Sequence, residues 1–482
     1  MNARRWWLPS LGVGLWLIFF AGLSCSPWRA QLVSRDGDAA LHWKLGAWML
    51  DHYTVIRVDS FSHTHPEGIV ISKEWLSELL WGAAGDALGW NGLVLLAALL
   101  ITTTLYLLQR QLEEEGSNAL TATVLTLLAA CTCSMHWLAR PHLMTHLLVV
   151  VFNWQLRSFH QDRLPGRVLF VSLVPLMALW TNLHGAFPIG LVLIGLYLVG
   201  NCGRRPEQIR KMKLLAALLG ACAAATLLNP NGWKLHEIIL HYLQHSQFVG
   251  GVNEFLPPNF HAANTRGFEL QLLVLAVILL VIRPKWERVD ILLVGAWTYF
   301  ALHSVRNLPV FALVATPIFT EHLRDRLPQL WQRIAADVAR VNLVAEGRAW
   351  MAVAVVAVVA FQPRTEPLPD VFPVAAVRYL QAHPDAVRGR MFNPDHWGGY
   401  LLLEMPERRV FMDSRHEFYG EKLLQDYLQV ARGDPGWMET LDRYQARWTL
   451  MPSGHPLNQL LALRREWRCV YADGTAVIFG RD

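Results

Sequence analysis

Long apolar runs, separated by short polar segments, occupy the first three quarters of the chain. An α-helix needs about 20 apolar residues to cross the hydrocarbon core of a bilayer. Runs near this length lie at 7–28, 92–109, 118–138, 143–157, 168–183, 186–201, 213–229, 268–283, 289–304, 308–322 and 347–361. The pattern predicts an all-α polytopic membrane bundle of about eleven transmembrane helices within residues 1–361.

Basic residues predict the orientation of this bundle. If every run crosses, most arginines and lysines fall on one side, and the short loops on the other side hold few cations, chiefly Arg140 and Arg306. Because cationic loops stay in the cytoplasm, the N terminus is predicted inside and the chain after residue 361 outside a cytoplasmic (inner) membrane. The part of the first run up to Cys25 also fits a cleaved leader with a lipid-attachment cysteine. An uncleaved first helix is favoured, and both interpretations put residue 30 outside.

Two longer polar regions follow on the outer side. The first outer loop, 30–91, has apolar residues at helical spacing in 41–49 and 75–80, which predicts amphipathic helices along the membrane surface. The tail, 362–482, regains glycine, proline and charge, and is predicted to form a small exported soluble α/β domain. Its expected strands lie at 400–403, 409–412, 447–451 and 477–479, and its expected helices at 421–431 and 456–465.

Composition supports the membrane assignment. Hydrophobic residues make up 53% of the chain and charged residues 17%, whereas soluble domains carry about 25% charged residues. This excludes a disordered protein and disfavours an ordinary soluble enzyme. The net charge of +5 does not indicate a nucleic-acid partner, because the basic residues occupy short loops where they set orientation. The spacing of the six cysteines resembles neither a zinc site nor a disulfide framework.

Polar side chains cluster at the predicted outer ends of the helices. Ionisable groups are costly inside a membrane and are therefore informative where they occur. The clustered residues are Asp36 and Asp38 after the first run, Arg140 and His142, Asn182 and His184, Asn229 and Asn231, and His303, Arg306 and Asn307. If the helices pack as one bundle, these ends converge on an outward-facing polar cavity, which is the predicted site.

The segment Asp36-Gly37-Asp38 with His42 carries the most specific chemistry. Either aspartate can act as general base on an acceptor hydroxyl. Together with His42, one helical turn further on, the two carboxylates can instead hold a divalent cation such as Mg or Mn. No other cofactor is predicted. Gly37 allows a tight turn or a close approach to a ligand. The alternative is that Asp36 caps the next helix and Asp38 is a solvated first-turn acid.

The remaining candidates are predicted to bind substrate. Glu74 and Trp75 suit a sugar, with the ring stacking on a pyranose, although a first-turn acid beside an interfacial tryptophan is the alternative. The cationic groups of the outer loops suit a lipid phosphate, which arginine grips with two hydrogen bonds, although such side chains also extend toward lipid head groups. These groups are Arg140, His142, His184, His303 and Arg306, with Asn182 beside them.

The combined pattern resembles the GT-C superfamily of integral-membrane glycosyltransferases. The features that carry the resemblance are an acidic motif directly after the first helix, a long first outer loop with amphipathic helices, about eleven spans and an exported C-terminal domain. The superfamily includes protein O-mannosyltransferases, oligosaccharyltransferase catalytic subunits and lipid A aminoarabinose transferases. The resemblance implies a polyprenyl-phosphate-linked sugar donor, an inverting displacement, a glycan, lipid or protein acceptor, and an acidic residue of the first outer loop as base or metal ligand. In this chain that residue would be Asp36 or Asp38.

A second resemblance lies in the tail. The segment Asp395-His396-Trp397-Gly398-Gly399-Tyr400-Leu401, followed by 408–415, looks like the Trp-Trp-Asp-Tyr-Gly stretch and subsequent strand of oligosaccharyltransferases. The double tryptophan and the aspartate between Trp and Tyr are absent, so N-glycosylation does not follow. Asp413 and Arg415 are expected to alternate along a strand and to pair with loops of the bundle.

The sequence therefore predicts a membrane glycosyltransferase, with a non-catalytic transporter or lipid-binding assembly protein as the alternative. Transporters place polar groups near the bilayer midplane, on broken helices in related halves. This chain shows no internal repeat, and its polar groups lie at the outer ends of helices, which favours the enzyme.

Overall fold

The computed structural model describes residues 5–35, 37–244, 253–342, 345–361 and 364–481. Asp36, for which catalytic and metal-binding roles are predicted, lies outside these ranges.

The described part of the first 361 residues is mainly helical. Its α-helices are α1 (Leu11–Cys25), α2 (Trp28–Ser34), α3 (Asp38–His52), α4 (Trp75–Leu88), α5 (Trp90–Glu114), α6 (Ala119–Cys133), α7 (His142–His160), α8 (Gly166–Leu183), α9 (Pro188–Gly200), α10 (Pro206–Ala225), α11 (Lys234–Gln244), α12 (Arg266–Val277), α13 (Arg288–His303), α14 (Leu308–Leu323), α15 (Gln329–Asn342) and α16 (Ala349–Phe361). Every predicted apolar run overlaps one of these helices.

Fewer helices are long and apolar enough to span a membrane than the sequence predicts. Among the described residues, four helical stretches are long and apolar enough to cross a bilayer: Trp90–Glu114, Ala119–His136, Gly166–Leu183 and Ala263–Ile282. Helices α1 and α2 add a fifth if they count as one span bent by 69°. The bend is explained by Ser26, which is extended before Pro27, the conformation that a residue before proline prefers. The other predicted crossings, including α9 and α16, are shorter or more polar.

A short strand pair connects the two ends of the bundle. Strand β1 (Arg5–Pro9) pairs in parallel with β2 (Ala345–Glu346). Each strand is followed closely by an apolar helix, α1 and α16, and these two helices pack against each other. Gly347 has a positive φ of 52°, and a Cβ there would overlap the backbone of Pro9. Only glycine therefore suits this position.

A buried arginine joins helices at the predicted inner end of the bundle. Arg157 donates from Nε to Glu115 (2.9 Å) and from Nη1 to Asp290 (3.0 Å), and it also pairs with Glu321. Its side chain is only 2% exposed. The four residues come from α7, from the turn after α5, and from α13 and α14, so one guanidinium group ties several helices together.

The predicted amphipathic helices of the first outer loop are α3 and α4. Leu41, Leu45 and Met49, on one face of α3, are buried in a hydrophobic cluster with Tyr400 and Leu401 of the tail. The apolar face of α3 thus packs on protein instead of facing lipid.

The tail is an α/β domain, as predicted. Its four-stranded sheet has the order β3 (Arg390–Phe392), β4 (Ala446–Pro452), β6 (Ala476–Arg481) and β5 (Trp467–Ala472), with β3 and β4 parallel and the other pairs antiparallel. Its helices are α17 (Val374–Ala382), α18 (Asp395–Glu404), α19 (His416–Arg432), α20 (Trp437–Arg443) and α21 (Pro456–Ala462).

Two of the four predicted strands in the tail are confirmed and two are wrong. Segments 447–451 and 477–479 lie within β4 and β6. Segment 400–403 lies in α18, whose residues from Trp397 to Leu402 are all buried. A short apolar run does not distinguish a buried helix from a strand. Segment 409–412 forms only one isolated bridge, from Val410 to Ser62.

Candidate functional site

Helices α3 and α4 cross with their backbones in contact. A Cβ on Gly46 would overlap the carbonyl oxygen of Glu78, and one on Gly82 would overlap the backbone of Gly46. His42 lies one turn before Gly46, and Glu78 lies one turn before Gly82. The crossing therefore brings these two side chains together, with Nδ1 of His42 3.8 Å from Oε1 of Glu78.

Glu74 lies between two histidines. Its carboxylate oxygens are 4.0 Å from Nε2 of His42 and 4.0 Å from Nε2 of His184. Thr145 accepts a hydrogen bond from the Trp180 indole (2.9 Å) and contacts Nδ1 of His184 (2.8 Å). The Thr145 hydroxyl hydrogen can therefore donate to Nδ1, which leaves the proton of neutral His184 on the nitrogen that faces Glu74. The structure thus brings together His42, Glu74 and His184, which the sequence predicts as site residues.

Burial and charge favour the protonated forms of two members of this cluster, Glu74 and His42. Burial raises the pKa of Glu74, and the opposing charges of His42 and Lys73 do not cancel this effect. Burial lowers the pKa of His42, but the neighbouring carboxylates of Glu78, Glu74 and Asp38 outweigh it, so the pKa is raised. Both side chains bind a proton more tightly than in water, as groups in functional sites often do.

A chain of alternating charges lies beside the cluster. Asp38 Oδ2 is 2.6 Å from Nη2 of Arg140, whose Nη1 is 2.7 Å from Oε1 of Glu254. The other oxygen of Glu254 is 3.2 Å from Nη2 of Arg306. Burial raises the pKa of Glu254, but Arg140 and Arg306 lower it to about 2. An ionised carboxylate therefore bridges the two predicted phosphate-binding arginines.

An apolar groove of about 690 Å³ opens next to Glu74. It is lined by Trp75, Leu76, Ala178, Leu179, Asn182, Leu227, Leu228, Asn229 and Pro230. The Trp75 indole donates to Oδ1 of Asn182 (2.7 Å), and the Asn182 amide donates to the carbonyls of Ala178 and Leu228. Asn182 and Trp75 thus form the wall between the groove and the polar cluster.

Two residues of the predicted site, His142 and His303, lie outside the cluster. A ring nitrogen of His142, Nε2, hydrogen bonds the carbonyl of His136 (2.6 Å) and the ring packs on His146, so this side chain is occupied within the bundle beside Arg140. His303 is exposed and stacks on Tyr299.

The C-terminal domain reaches this region. A Cβ on Gly37 would overlap the carbonyl of His396, and a Cβ on Gly399 would come within 2.7 Å of the Gly37 carbonyl oxygen. The close approach predicted for Gly37 is therefore made by protein backbone. Lys73, next to Glu74, forms an ion pair with Glu417 of α19. The domain thus forms one side of the candidate site.

A buried ion pair fixes the domain to the first outer loop. Arg415 contacts Asp413 (2.6 Å) and Asp59 (2.8 Å), and both carboxylate side chains are fully buried. Tyr419 donates a further hydrogen bond to Asp413 (2.8 Å). The predicted pairing with a loop of the bundle is confirmed for Arg415, which contacts Asp59, whereas Asp413 pairs within the tail. The predicted alternation of the two residues along a strand is wrong.

Comparison with known proteins rests on structure. No protein-family model matches the sequence, and no curated protein matches it. The archaeal oligosaccharyltransferase AglB from Archaeoglobus fulgidus, in complex with an inhibitory peptide and a dolichol-phosphate, is similar with a TM-score of 0.57 at 11% identity, over 92% of this chain and 69% of that chain. ArnT from Cupriavidus metallidurans, bound to undecaprenyl phosphate, is similar with a TM-score of 0.56 at 13% identity, over 97% of both chains. Both are GT-C glycosyltransferases and integral membrane proteins.

The chain has the GT-C fold.

The described residues of this GT-C fold do not form the predicted cation site. Asp38 is paired with Arg140, and His42 faces two glutamates that favour its protonated form. Within the described ranges, no group of three or more His, Cys, Asp or Glu side chains is placed to hold a metal ion. One AglB structure is a complex with Zn and sulfate, and a divalent cation remains a prediction for this chain, because Asp36 lies outside the described residues.

Part of the candidate site is not apparent from the sequence. Lys73 and Glu78 could have been found, because one adjoins Glu74 and the other follows it by one helical turn. Glu254 and Glu417 come from distant segments with no local motif, so only the fold brings them to Arg140 and Lys73.

Proposed function

We propose that the protein is a membrane glycosyltransferase that moves a sugar from a polyprenyl-phosphate-linked donor to an acceptor at the outer face. The observation that carries this proposal is an apolar groove that ends at a charged cluster. Trp75 and Asn182 line the groove, and Glu74, the neighbour of Trp75, faces His42 and His184. A lipid-linked sugar phosphate needs such a combination of apolar and charged surfaces.

The groove is the proposed site of the isoprenoid chain, because burying apolar surface contributes about 25 cal/mol per Å². The phosphate is proposed to bind Arg140 and Arg306, whose guanidinium groups suit phosphate oxygens. Glu254 now occupies the space between them, so phosphate binding displaces this carboxylate. Two cations held in place stabilise the charge that develops on the leaving phosphate.

An acidic residue of the first outer loop, Asp36 or Asp38, is proposed to engage the acceptor hydroxyl as base. The acceptor oxygen attacks the anomeric carbon from the face opposite the phosphate, the bond from carbon to phosphate oxygen breaks, and polyprenyl phosphate leaves with the electron pair. Configuration at the anomeric carbon is inverted.

This function is tested with purified protein in lipid nanodiscs. The assay measures release of polyprenyl phosphate from a panel of polyprenyl-phosphate-linked sugars. We expect release by the wild type, loss in Asp36→Asn or Asp38→Asn, and weaker donor binding in Arg306→Gln. Asp51→Asn, an exposed acid at the end of α3, is the matched control. The proposal would be falsified if both aspartate variants released product at the wild-type rate. Undecaprenyl phosphate binding without transfer from any donor would favour the lipid-binding alternative.

A further inference from the structure

The C-terminal domain carries a histidine held by an aspartate. Nε2 of His416, the first residue of α19, lies 2.7 Å from Oδ2 of Asp395, the first residue of α18. The other oxygen of Asp395 accepts from the backbone N–H of His396 (2.8 Å) and from the Tyr427 hydroxyl (3.2 Å). Nδ1 of the His396 ring also lies 3.4 Å from this oxygen, so four contacts fix the aspartate.

These contacts set the protonation of the pair. Burial raises the pKa of Asp395, but hydrogen bonds from His396 and His416 lower it far more, so the carboxylate stays ionised. An ionised Asp395 accepts the Nε2 proton of His416 and leaves the lone pair of neutral His416 on Nδ1.

Nδ1 of His416 is available to a substrate. Within the ranges that the structure describes, no hydrogen bond to this nitrogen is found, and the side chain is 22% exposed. A base needs an accessible lone pair and a second group that orients its ring. The Asp395–His416 pair meets both conditions.

The pair adjoins the proposed reaction site. His396, next to Asp395, touches the backbone of Gly37, and Asp38 follows Gly37 in the chain. On the other side, Glu417, next to His416, pairs with Lys73, the neighbour of Glu74. The pair is therefore connected on both sides to residues proposed to bind donor and acceptor.

Asp38 is a weak base for the acceptor proton, because one of its carboxylate oxygens is paired with Arg140 at 2.6 Å. We infer that His416 accepts the proton of the acceptor hydroxyl during sugar transfer, with Asp395 as the positioning residue and the first-loop acid aligning the hydroxyl. This inference rests on the proposed function and reassigns one step of it.

The step balances as follows. The hydroxyl proton moves to Nδ1 of His416 while the oxygen forms a bond to the anomeric carbon. The bond from that carbon to the phosphate oxygen breaks, and its electron pair leaves on polyprenyl phosphate. Asp395 stabilises the imidazolium, which returns the proton to water at the exposed edge of the ring.

The surrounding charges give this step a defined pH dependence. Burial lowers the pKa of His416, but the hydrogen bond and charge of Asp395 and the charges of Glu417 and Asp38 raise it above 6.5. Positive groups nearby are neutralised, since Lys73 pairs with Glu417 and Arg415 pairs with Asp413 and Asp59. Because the neutral imidazole is the active form, kcat/KM should fall as the pH drops below this raised pKa.

The test compares kcat/KM across pH 5 to 9 for the wild type, His416→Gln and Asp395→Asn. We expect His416→Gln to lose about 10² to 10⁴-fold in kcat and to lose the acidic limb of the profile, with undecaprenyl phosphate binding unchanged. Asp395→Asn should lower kcat and move the acidic limb to lower pH, because its amide no longer stabilises the imidazolium. His383→Gln, an exposed histidine of the same domain, is the control.

Three outcomes would overturn the inference. His416→Gln with wild-type kcat and an unchanged acidic limb excludes His416 as proton acceptor while the proposed function stands. If His416→Gln loses both undecaprenyl phosphate binding and activity, the residue has a structural role. A wild type that transfers no sugar from any donor overturns the proposed function as well, and is distinguished from the first outcome by that absence.

Discussion

At the scale of single residues, Glu254 has an unusual position. Its carboxylate bridges Arg140 and Arg306, the two cations proposed to receive a phosphate. The Glu254 carboxylate must leave before the phosphate binds, so it lowers the apparent affinity for the phosphate.

Glu254→Gln should therefore strengthen binding of undecaprenyl phosphate. We expect the Kd to fall about tenfold, which corresponds to about 1.4 kcal/mol, because the amide competes more weakly for the guanidinium groups. Titration in nanodiscs measures the effect, with the exposed Glu407→Gln as control. An unchanged or larger Kd would show that Glu254 does not compete with the phosphate.

Glu74 gives a prediction for stability. Its pKa is raised in the folded protein, so the folded state holds its proton more tightly than the unfolded state, and stability is lost as pH rises through the folded pKa. His42 has a raised pKa as well and acts in the same direction. Glu74→Gln removes the carboxylate, so its thermal unfolding temperature in detergent should exceed that of the wild type at pH 7.

The difference should shrink as the pH is lowered to 4, where Glu74 is protonated in both states. Glu466→Gln, an exposed control, should match the wild type at both values. A constant difference between the two pH values would contradict the assignment.

Several of these residues were accessible from the sequence alone. Four of them, Asp38, Arg140, His184 and Arg306, stand at predicted outer ends of helices. His42 and Glu74 belong to the first outer loop, and the structure brings all six to one region. His303 satisfied the same criterion and lies apart, because position along a helix does not specify which way its side chain points.

At the scale of elements, the crossing of α3 and α4 organises the site. Gly46 and Gly82 allow the two backbones to touch, and this contact fixes the separation of His42 from Glu78. Both helices were predictable from their apolar spacing, whereas their crossing point was not, since spacing identifies a buried face without identifying its partner.

Gly46→Ala should move these helices apart. An added methyl group in a packed contact costs about 1–3 kcal/mol, and the shift should draw His42 away from Glu78 and lower sugar transfer. Gly220→Ala is the matched control, because a Cβ at Gly220 in α10 meets nothing within 4 Å and alanine favours the helix by about 0.5–1 kcal/mol. The free energy of unfolding and the rate of sugar transfer are measured for both variants. Equal stability of the two variants would contradict the proposed contact.

At the scale of the whole molecule, charge holds the bundle together far from the site. Arg157 joins four segments through Glu115, Asp290 and Glu321. Arg157 ends the predicted apolar run 143–157, and its burial cannot be recognised from the sequence because the acids that neutralise it come from distant segments.

Arg157→Met should destabilise the protein strongly. Removing one partner of a buried ion pair costs about 3–5 kcal/mol, since the opposite charges stay buried without compensation. Denaturant titration in mixed micelles measures the loss, and Arg167→Met, an exposed arginine on the following helix, should change stability little. A loss of under about 1 kcal/mol, the value typical of exposed pairs, would show that water reaches the network.

The pairing of β1 with β2 constrains how many helices can cross the bundle between them. Because the strands are parallel and lead directly into α1 and α16, these two helices leave the same face of the bundle in the same direction. The first outer loop follows α1, the C-terminal domain follows α16, and the two are joined at the other face by Arg415 and Asp59. A segment that runs from the face of the strand pair to the face of the Arg415–Asp59 pair crosses the bundle an odd number of times. Helices that cross the bundle between α2 and α15 can therefore be added or deleted only in pairs, because a single further crossing would separate either the strands or the domain from its loop.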